Sequence, residues 1–538
     1  MKSTPKFLIA ALAMTGLAVL TAIVLQQKAC ASSPPTESGI YFATATQHLA
    51  PVPTFAASKD QLPSPILDDR PDLIALYWEA WKIGFSHFRS PQPGSSLVSN
   101  YMDAAFSSHI FQWDTIFMIP FASYAHHIFP VIGSLDNFYA HQHSDGKIAR
   151  EIVAATGEDY VYQSDDDTVN PPLFAWVEVV NAHLTGDTSR YNRVYLALTK
   201  YADYLETARH STNTVHKLYW NTGLGSGMDN TPRQGSGWVD MSTQMVLMYD
   251  SLSEIAETLG KSADAQKFKA QARDISQRIQ KYMWDDHDGL YYDVDDNGRF
   301  IKHKTIACFW PMLAKISDAK QAAHMMKNLE DPHTFWRKDP WPSLAANEPE
   351  YDSDGHYWVG GVWAPTNAMV VGGLSNYPDV SGTRELADFG AKNYVEIINQ
   401  VYNNTHTIWE FYSPDKAEQG KLWWFIDGRK DFVGWSGIGP IQFLIENILG
   451  FHIDALQNKV TWRIQNLAHH GITGLHVGSS VISLEAAARS SANDPLTISA
   501  DTEIPSGAST QSVDLEVTWN GTHYQRTLIS GKQTISIP

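Results

Sequence analysis

The sequence predicts a mainly α-helical chain, a closed ring of helical hairpins followed by a small C-terminal β domain. Three observations predict it. Apolar residues recur at helical spacing in a long series of blocks, strand-like stretches are scarce before residue 455, and short alternating runs take over after Phe451. With 538 residues and 43% hydrophobic content, the chain can bury a large core and still carry an appendage.

The N-terminus reads as an export signal. Lys2 and Lys6 precede an apolar run from Phe7 to Leu25, and Ala29-Cys30-Ala31 has the form of a cleavage site, so cleavage after Ala31 is expected, with an uncleaved membrane anchor as the alternative. The expected location is exported, periplasmic or extracellular. Cleavage leaves Cys308 alone, in the apolar run IACFWPML, which is the setting of a buried thiol. Residues 32–70, rich in Pro, Ser, Thr and Ala, form an extended lead-in.

The helical body is expected over 71–452. Its first block is DLIALYWEAWKIGFSHF, and others follow at 114–129, 172–184, 189–207, 238–259, 263–283, 317–329, 361–374, 384–402 and 437–448. Helices arriving in pairs with polar, Gly-rich loops between them favour one helical domain over an α/β sheet. In a ring of hairpins the loops at one end converge on a funnel, which brings distant residues together. The β domain is expected over 453–538, sandwich-like, from KVTWRIQ, LHVG, VISLEAA, VDLEVTWNG and QTISIP. Its expected job is packing against the body, with sugar binding through Trp462 or Trp519 as the minor alternative.

A formal charge of −18 excludes nucleic acid as a partner and disfavours polyanionic substrates. The 18 Trp, 23 Tyr and 22 Phe supply flat apolar faces of the kind that stack on sugar rings, so neutral carbohydrate fits best. DVDDNG, Asp293 to Gly298, imitates a calcium loop but has Lys304 where a bidentate acid belongs, so it reads as a turn between short strands. The 21 histidines include no HExxH or close ligand set, and the adjacent pairs His126-His127 and His469-His470 are expected to diverge. Neither a cofactor nor a catalytic metal is expected.

Two acids stand out. Asp229 lies in the Gly-rich GSGMDNTPR, and Glu410 lies in TIWEFYSP between Trp409 and Phe411. One protonated and one ionised carboxyl are what acid–base hydrolysis of a glycosidic bond requires. Arg233 pairing directly with Asp229 would lower the acid's pKa, so Arg233 is assigned to substrate hydroxyls or loop architecture. Trp113 and Asp114 precede an apolar helix, where Asp114 is either an N-cap or a sugar-hydroxyl acceptor. HSDGKIAREI offers Arg150, TVNPPLFAW offers Asn170, HYWVGGVWAPTN brings Trp358 and Trp363 into a Gly-rich turn, and WWFIDGRKDFVGWSG adds Trp435. Trp409 is read as pocket wall.

Taken in order, QWDTIF, DGKIARE, NPPLFAW, GSGMDNTPR, YWVGGVWAPTN and WEFYSP resemble glycoside hydrolase family 63 and its clan relative, the trehalases of family 37, over about residues 110 to 450. The resemblance implies an (α/α)6 toroid and hydrolysis of α-glycosides with inversion. It implies that Asp229 is the general acid, Glu410 the general base, and Trp113 and Asp114 holders of the sugar in the cleaved subsite. Val359-Gly360-Gly361 stands where family 63 commonly has Arg-Gly-Pro, and only Trp363-Ala364-Pro365 survives of the longer trehalase signature. The expected activity is therefore cleavage of a terminal α-glucosidic or α-mannosidic bond. A trehalase-like enzyme, a lyase or uronide hydrolase on a helical toroid, and a non-catalytic glycan-binding protein are the alternatives.

Overall fold

The computed structural model describes residues 49–538 apart from 107, 163, 424 and 509. The export signal, Cys30 and the first part of the lead-in lie outside the described residues, as does Trp424. Among the described residues no helix is long and apolar enough to cross a membrane.

Among the described residues, and apart from the four-residue helices Phe55–Ser58 and Gly223–Ser226, the helices come in six sequential pairs, an outer helix followed by an inner one. They are α1 (Pro71–Phe85) with α2 (Gln112–Ala122), α3 (Ser134–Ala140) with α4 (Phe174–Thr185), and α5 (Tyr191–Ala208) with α6 (Val239–Thr258). The second half is α7 (Ser262–Tyr282) with α8 (Trp310–Leu313), α9 (Ala319–Glu330) with α10 (Ala364–Ser375), and α11 (Thr383–Thr405) with α12 (Gly439–Ile448). A 3-10 turn, Trp435–Ile438, leads into α12, which has π-helical geometry. From α2 to α10 each inner helix touches the next, and the Trp435–Ile438 turn joins α10 to α12 and closes on α2, so the ring is an (α/α)6 toroid. Closure needs contacts between the two ends of the body, which local periodicity does not encode.

Burial follows the two layers. On outer α7 the buried residues are Ala265, Phe268, Ala272, Ile275 and Ile279, one stripe at helical spacing. On inner α2 every residue is buried, because neighbours surround it on all sides. Among its apolar residues α2 also carries Gln112, whose amide donates to the Pro171 carbonyl at 2.9 Å, and Asp114, which faces the chamber at the centre of the ring.

The lead-in contributes β1 (Ser64–Leu67), which is not free but pairs antiparallel with β4 of the C-terminal domain, Ser64 opposite Thr473. That domain comprises β2 (Phe451–Asp454), β3 (Lys459–Arg463), β4 (His470–Val477), β5 (Ser480–Ala486), β6 (Leu496–Glu503), β7 (Val513–Trp519), β8 (Thr522–Leu528) and β9 (Gly531–Ile537). They form two sheets, ordered β1-β4-β5-β6-β9 and β2-β3-β7-β8, with β3 and β7 parallel. Strand β8 escapes sequence reading because THYQRTL is polar on both faces, as an edge strand can be. Trp462 and Trp519 are both buried, and the Trp462 indole donates to the Leu449 carbonyl just beyond α12. These two rings pack rather than present a sugar-binding face. Asp293–Val294 and Phe300–Ile301 form the short hairpin expected of DVDDNG.

Candidate active site

At one end of the ring the loops enclose a cavity of about 280 Å³ lined by Trp113, Asp114, Arg150, Asn170, Asp229, Tyr357, Trp358, Glu410, Arg429 and Trp435, among others. It opens into a wider vestibule of about 1030 Å³ that shares Arg150, Asp229, Tyr357 and Arg429 and adds Glu151, Asn230, His356 and Trp423. Residues spread over more than 300 positions thus share one sugar-sized chamber.

The loop bearing Asp229 is built on itself. Thr222 caps the short helix Gly223–Ser226 by accepting from the Gly225 N–H, and Gly227 then turns the chain with φ +77°. A Cβ at Gly227 would stand 3.1 Å from the Trp113 indole, so glycine is needed both for the turn and for the close approach of the loop to that ring. Asn170 ties the two together, its amide donating to the Gly225 carbonyl at 3.2 Å and its Oδ1 accepting from the Trp113 backbone N–H at 3.4 Å.

Tyr357, a residue the sequence reading did not nominate, donates from its phenol to Asp229 Oδ2 at 2.8 Å. Burial raises the Asp229 pKa, while the Arg150 charge and the Tyr357 hydrogen bond hold it back. Arg150 is itself engaged with Glu151 at 3.0 Å. Across the chamber, Glu410 is held by the backbone of Arg429: the Arg429 N–H donates to Oε2 at 3.0 Å, and the Glu410 N–H donates back to the Arg429 carbonyl at 2.9 Å. Burial pushes the Glu410 carboxyl up to about 7 against the opposing Arg429 interactions, and the charge of Asp229 adds to the rise. The Trp435 indole donates to the Glu410 carbonyl at 2.7 Å and locks that backbone in place.

Asp114 is not an N-cap. The capping position of α2 is Phe111, no side chain caps the helix, and the Asp114 carboxyl lies buried with Oδ1 unpartnered. The Trp113 indole N–H is likewise buried without an acceptor. Burial and the neighbouring Glu410 hold Asp114 well above the usual carboxylate range. An unmatched donor and acceptor side by side in a cavity wall are suited to a hydroxyl-bearing ligand.

Three nominated residues lie elsewhere. Arg233 is buried in a pair of ion pairs with Asp240 and Asp293, the latter at 2.9 Å, so it is loop architecture and lines neither the chamber nor its vestibule. Trp363 is the middle ring of a stack, 4.0 Å from Trp358 on one side and 4.0 Å from Phe411 on the other, and only Trp358 reaches the chamber. Trp409 turns its indole to the Thr405 hydroxyl at 3.0 Å and does not line the chamber.

Comparison with known proteins agrees with this fold. Residues 133–436 match the family described as the mannosylglycerate hydrolase MGH1-like glycoside hydrolase domain. A Borreliella burgdorferi protein described as uncharacterized is 25% identical over 360 residues, covering 66% of this chain and 75% of that one. The probable mannosyl-oligosaccharide glucosidase of Schizosaccharomyces pombe is 25% identical over 243 residues, 42% of this chain and 29% of the yeast protein. Among solved structures, the GH63 mannosylglycerate hydrolase from Thermus thermophilus in complex with glucose superposes with a TM-score of 0.55 at 18% identity, covering 68% of this chain and 99% of that one. Neutral trehalase from Saccharomyces cerevisiae follows with a TM-score of 0.50 at 14% identity over 64% of this chain and 73% of its own. The chain belongs to the MGH1-like domain family within glycoside hydrolase family 63, and its catalytic body is that of a glycoside hydrolase.

Proposed function

We propose that the protein is an exported, inverting α-glycosidase that releases a terminal α-glucosyl or α-mannosyl residue. The observation that carries this is the pairing of Asp229 and Glu410 in the walls of one enclosed chamber, each with a raised pKa. In this reading Asp229 gives its proton to the leaving oxygen, and Glu410 takes a proton from the water that attacks the anomeric carbon from the opposite face. Asp114 and the Trp113 indole hold the hydroxyls of the cleaved sugar. The relatives support both sugars, mannose through the mannosylglycerate hydrolase and glucose through the mannosyl-oligosaccharide glucosidase. Export rests on the Lys-flanked apolar run and Ala29-Cys30-Ala31, and N-terminal sequencing of the mature protein tests it.

A second reading concerns the aglycone. The Arg429 guanidinium lies over the Phe106 ring at 4.3 Å, exposed at the mouth of the chamber, with no carboxylate partner among the described residues. A single unpaired cation there favours a small hydroxy-acid aglycone such as glycerate over a neutral one. The deciding experiment follows fresh product by NMR with α-glucosides, α-mannosides, their glycerate glycosides and trehalose. Inversion with one of these supports the proposal; retention excludes the two-carboxylate mechanism described.

A further inference from the structure

Away from the chamber, at the opposite end of α2, three imidazoles meet. His126 and His127 follow the 3-10 turn Ser123–Ala125 that ends α2, and His476 arrives from β4 of the C-terminal domain. The adjacent pair, expected to diverge, does not: at this tight turn their ring centroids are 5.5 Å apart, and His476 stacks on His127 at 3.7 Å with an interplanar angle of 18°. One ring nitrogen from each residue lies within 4.8 Å of the other two.

The hydrogen bonds fix the tautomers of two of the rings. His126 Nδ1 lies 2.9 Å from the Ser123 carbonyl and His127 Nε2 lies 2.9 Å from the Gln61 carbonyl. A carbonyl only accepts, so each of these nitrogens carries the proton, and the lone pairs fall on His126 Nε2 and His127 Nδ1. A backbone carbonyl fixing the tautomer of a ligating histidine is the usual outer-shell arrangement of a metal site. Neither nitrogen of His476 has a hydrogen-bond partner among the described residues.

We propose that His126, His127 and His476 form a structural site for a divalent transition-metal ion, zinc in the first instance, which clamps the C-terminal β domain and the lead-in to the base of the toroid. Three neutral imidazole donors with no thiolate or carboxylate suit zinc, copper or nickel rather than calcium or magnesium. Zn–N bonds of about 2.0–2.1 Å would draw the donors to about 3.4 Å apart. That asks for a modest closing movement, which the exposed His127 ring can supply. The fourth position is left to water. Asp187 is the acid whose charge reaches His126, and no Lys or Arg contributes to the electrostatics of the three rings. The site joins three stretches of chain: Gln61 lies just before β1, His126 and His127 follow α2, and His476 is on β4, the strand that pairs with β1. It is about a helix length, ~16 Å, from Asp114 at the other end of α2, too far for a role in the chemistry.

The test is calorimetric titration of chelator-stripped full-length protein with zinc chloride, alongside cobalt(II) titration read by its visible absorption. The expected result is one tight equivalent, a cobalt spectrum of low-coordinate type, and a raised unfolding temperature. In His476→Gln and in His127→Gln that equivalent should weaken at least about tenfold, while His469→Gln, just before the same strand, leaves it unchanged. Glycosidase activity should be unaffected throughout. Wild-type protein that takes up no stoichiometric zinc, or variants that bind it as tightly as wild type, would overturn the assignment. Circular dichroism of each variant separates lost ligation from lost folding.

Discussion

The phenol of Tyr357 donates to Oδ2 of Asp229 at 2.8 Å across 128 positions of sequence. Tyr357 adopts a positive φ of 53°, a strained conformation for a residue with a side chain, and it is held there between Gly355 and the turn at Gly360. With Oδ2 committed to the phenol, the proton of the proposed acid is best carried on Oδ1. The hydrogen bond therefore orients Asp229 as well as tempering its pKa.

Asp229→Asn and Glu410→Gln should each lower kcat/KM on an O-glycoside by on the order of 100-fold or more with the fold intact, as judged by circular dichroism. Their losses should differ on an α-glycosyl fluoride, whose leaving group needs no proton. There Asp229→Asn recovers most of its activity and Glu410→Gln does not. Equal recovery would reverse or remove the assigned roles.

Activity should fall as pH drops through about 7, because Glu410 acts ionised and burial pushes its carboxyl up to about 7. The pair is coupled, so the limbs of the profile belong to both acids. Tyr357→Phe removes a bond that lowers the Asp229 pKa and should move the alkaline limb upward. The stability has the opposite sign to the usual carboxylate case. Glu410 and Glu446, both pushed up to about 7, bind protons more tightly folded than unfolded, so their contribution is complete at acid pH and is lost as pH rises from about 4.5 through 7. Glu446→Gln, remote from the chamber, should flatten that fall in denaturant titrations.

Arg233→Met should destabilise the fold by about 3–5 kcal/mol, since Asp240 and Asp293 are left buried without their cation. Its kcat/KM per folded molecule should change little. A large rise in KM at unchanged stability would put Arg233 back among the sugar contacts.

Gly227→Ala should cost about 1–2 kcal/mol from its left-handed backbone and, by pressing a Cβ on the Trp113 ring, raise KM more than it lowers kcat. Unchanged kinetics would mean that Trp113 does not position the sugar.

Most of the helical blocks, the change to strands after Phe451 and the two acids that the fold brings to one chamber stood out in the chain, because periodicity, turn chemistry and short motifs are local properties. Residues with a single feasible setting, such as Glu410 among aromatic neighbours or Asp229 in its Gly-rich loop, announce themselves. Where a side chain points is another matter. Trp363 and Trp409 are as aromatic as Trp358 and Trp435, yet one is the middle of a stack and the other faces Thr405. Tyr357 carries no local mark at all, and its role appears only when its loop meets the loop of Asp229.

By itself, then, the sequence determined most of the long helices, the change to a β domain after Phe451 and two carboxyls as candidates for the chemistry, while the short helices Ser134–Ala140 and Trp310–Leu313 and the strand Ser64–Leu67 carried no such signal. The tertiary structure alone decided that the ring closes, that Arg233 is spent on Asp240 and Asp293, and that His476 comes to lie on His127. The physical reason is one of range. Helix and turn formation depend on neighbours a few residues away, whereas ring closure, desolvation and ion pairing depend on which distant segments the packed core brings into contact.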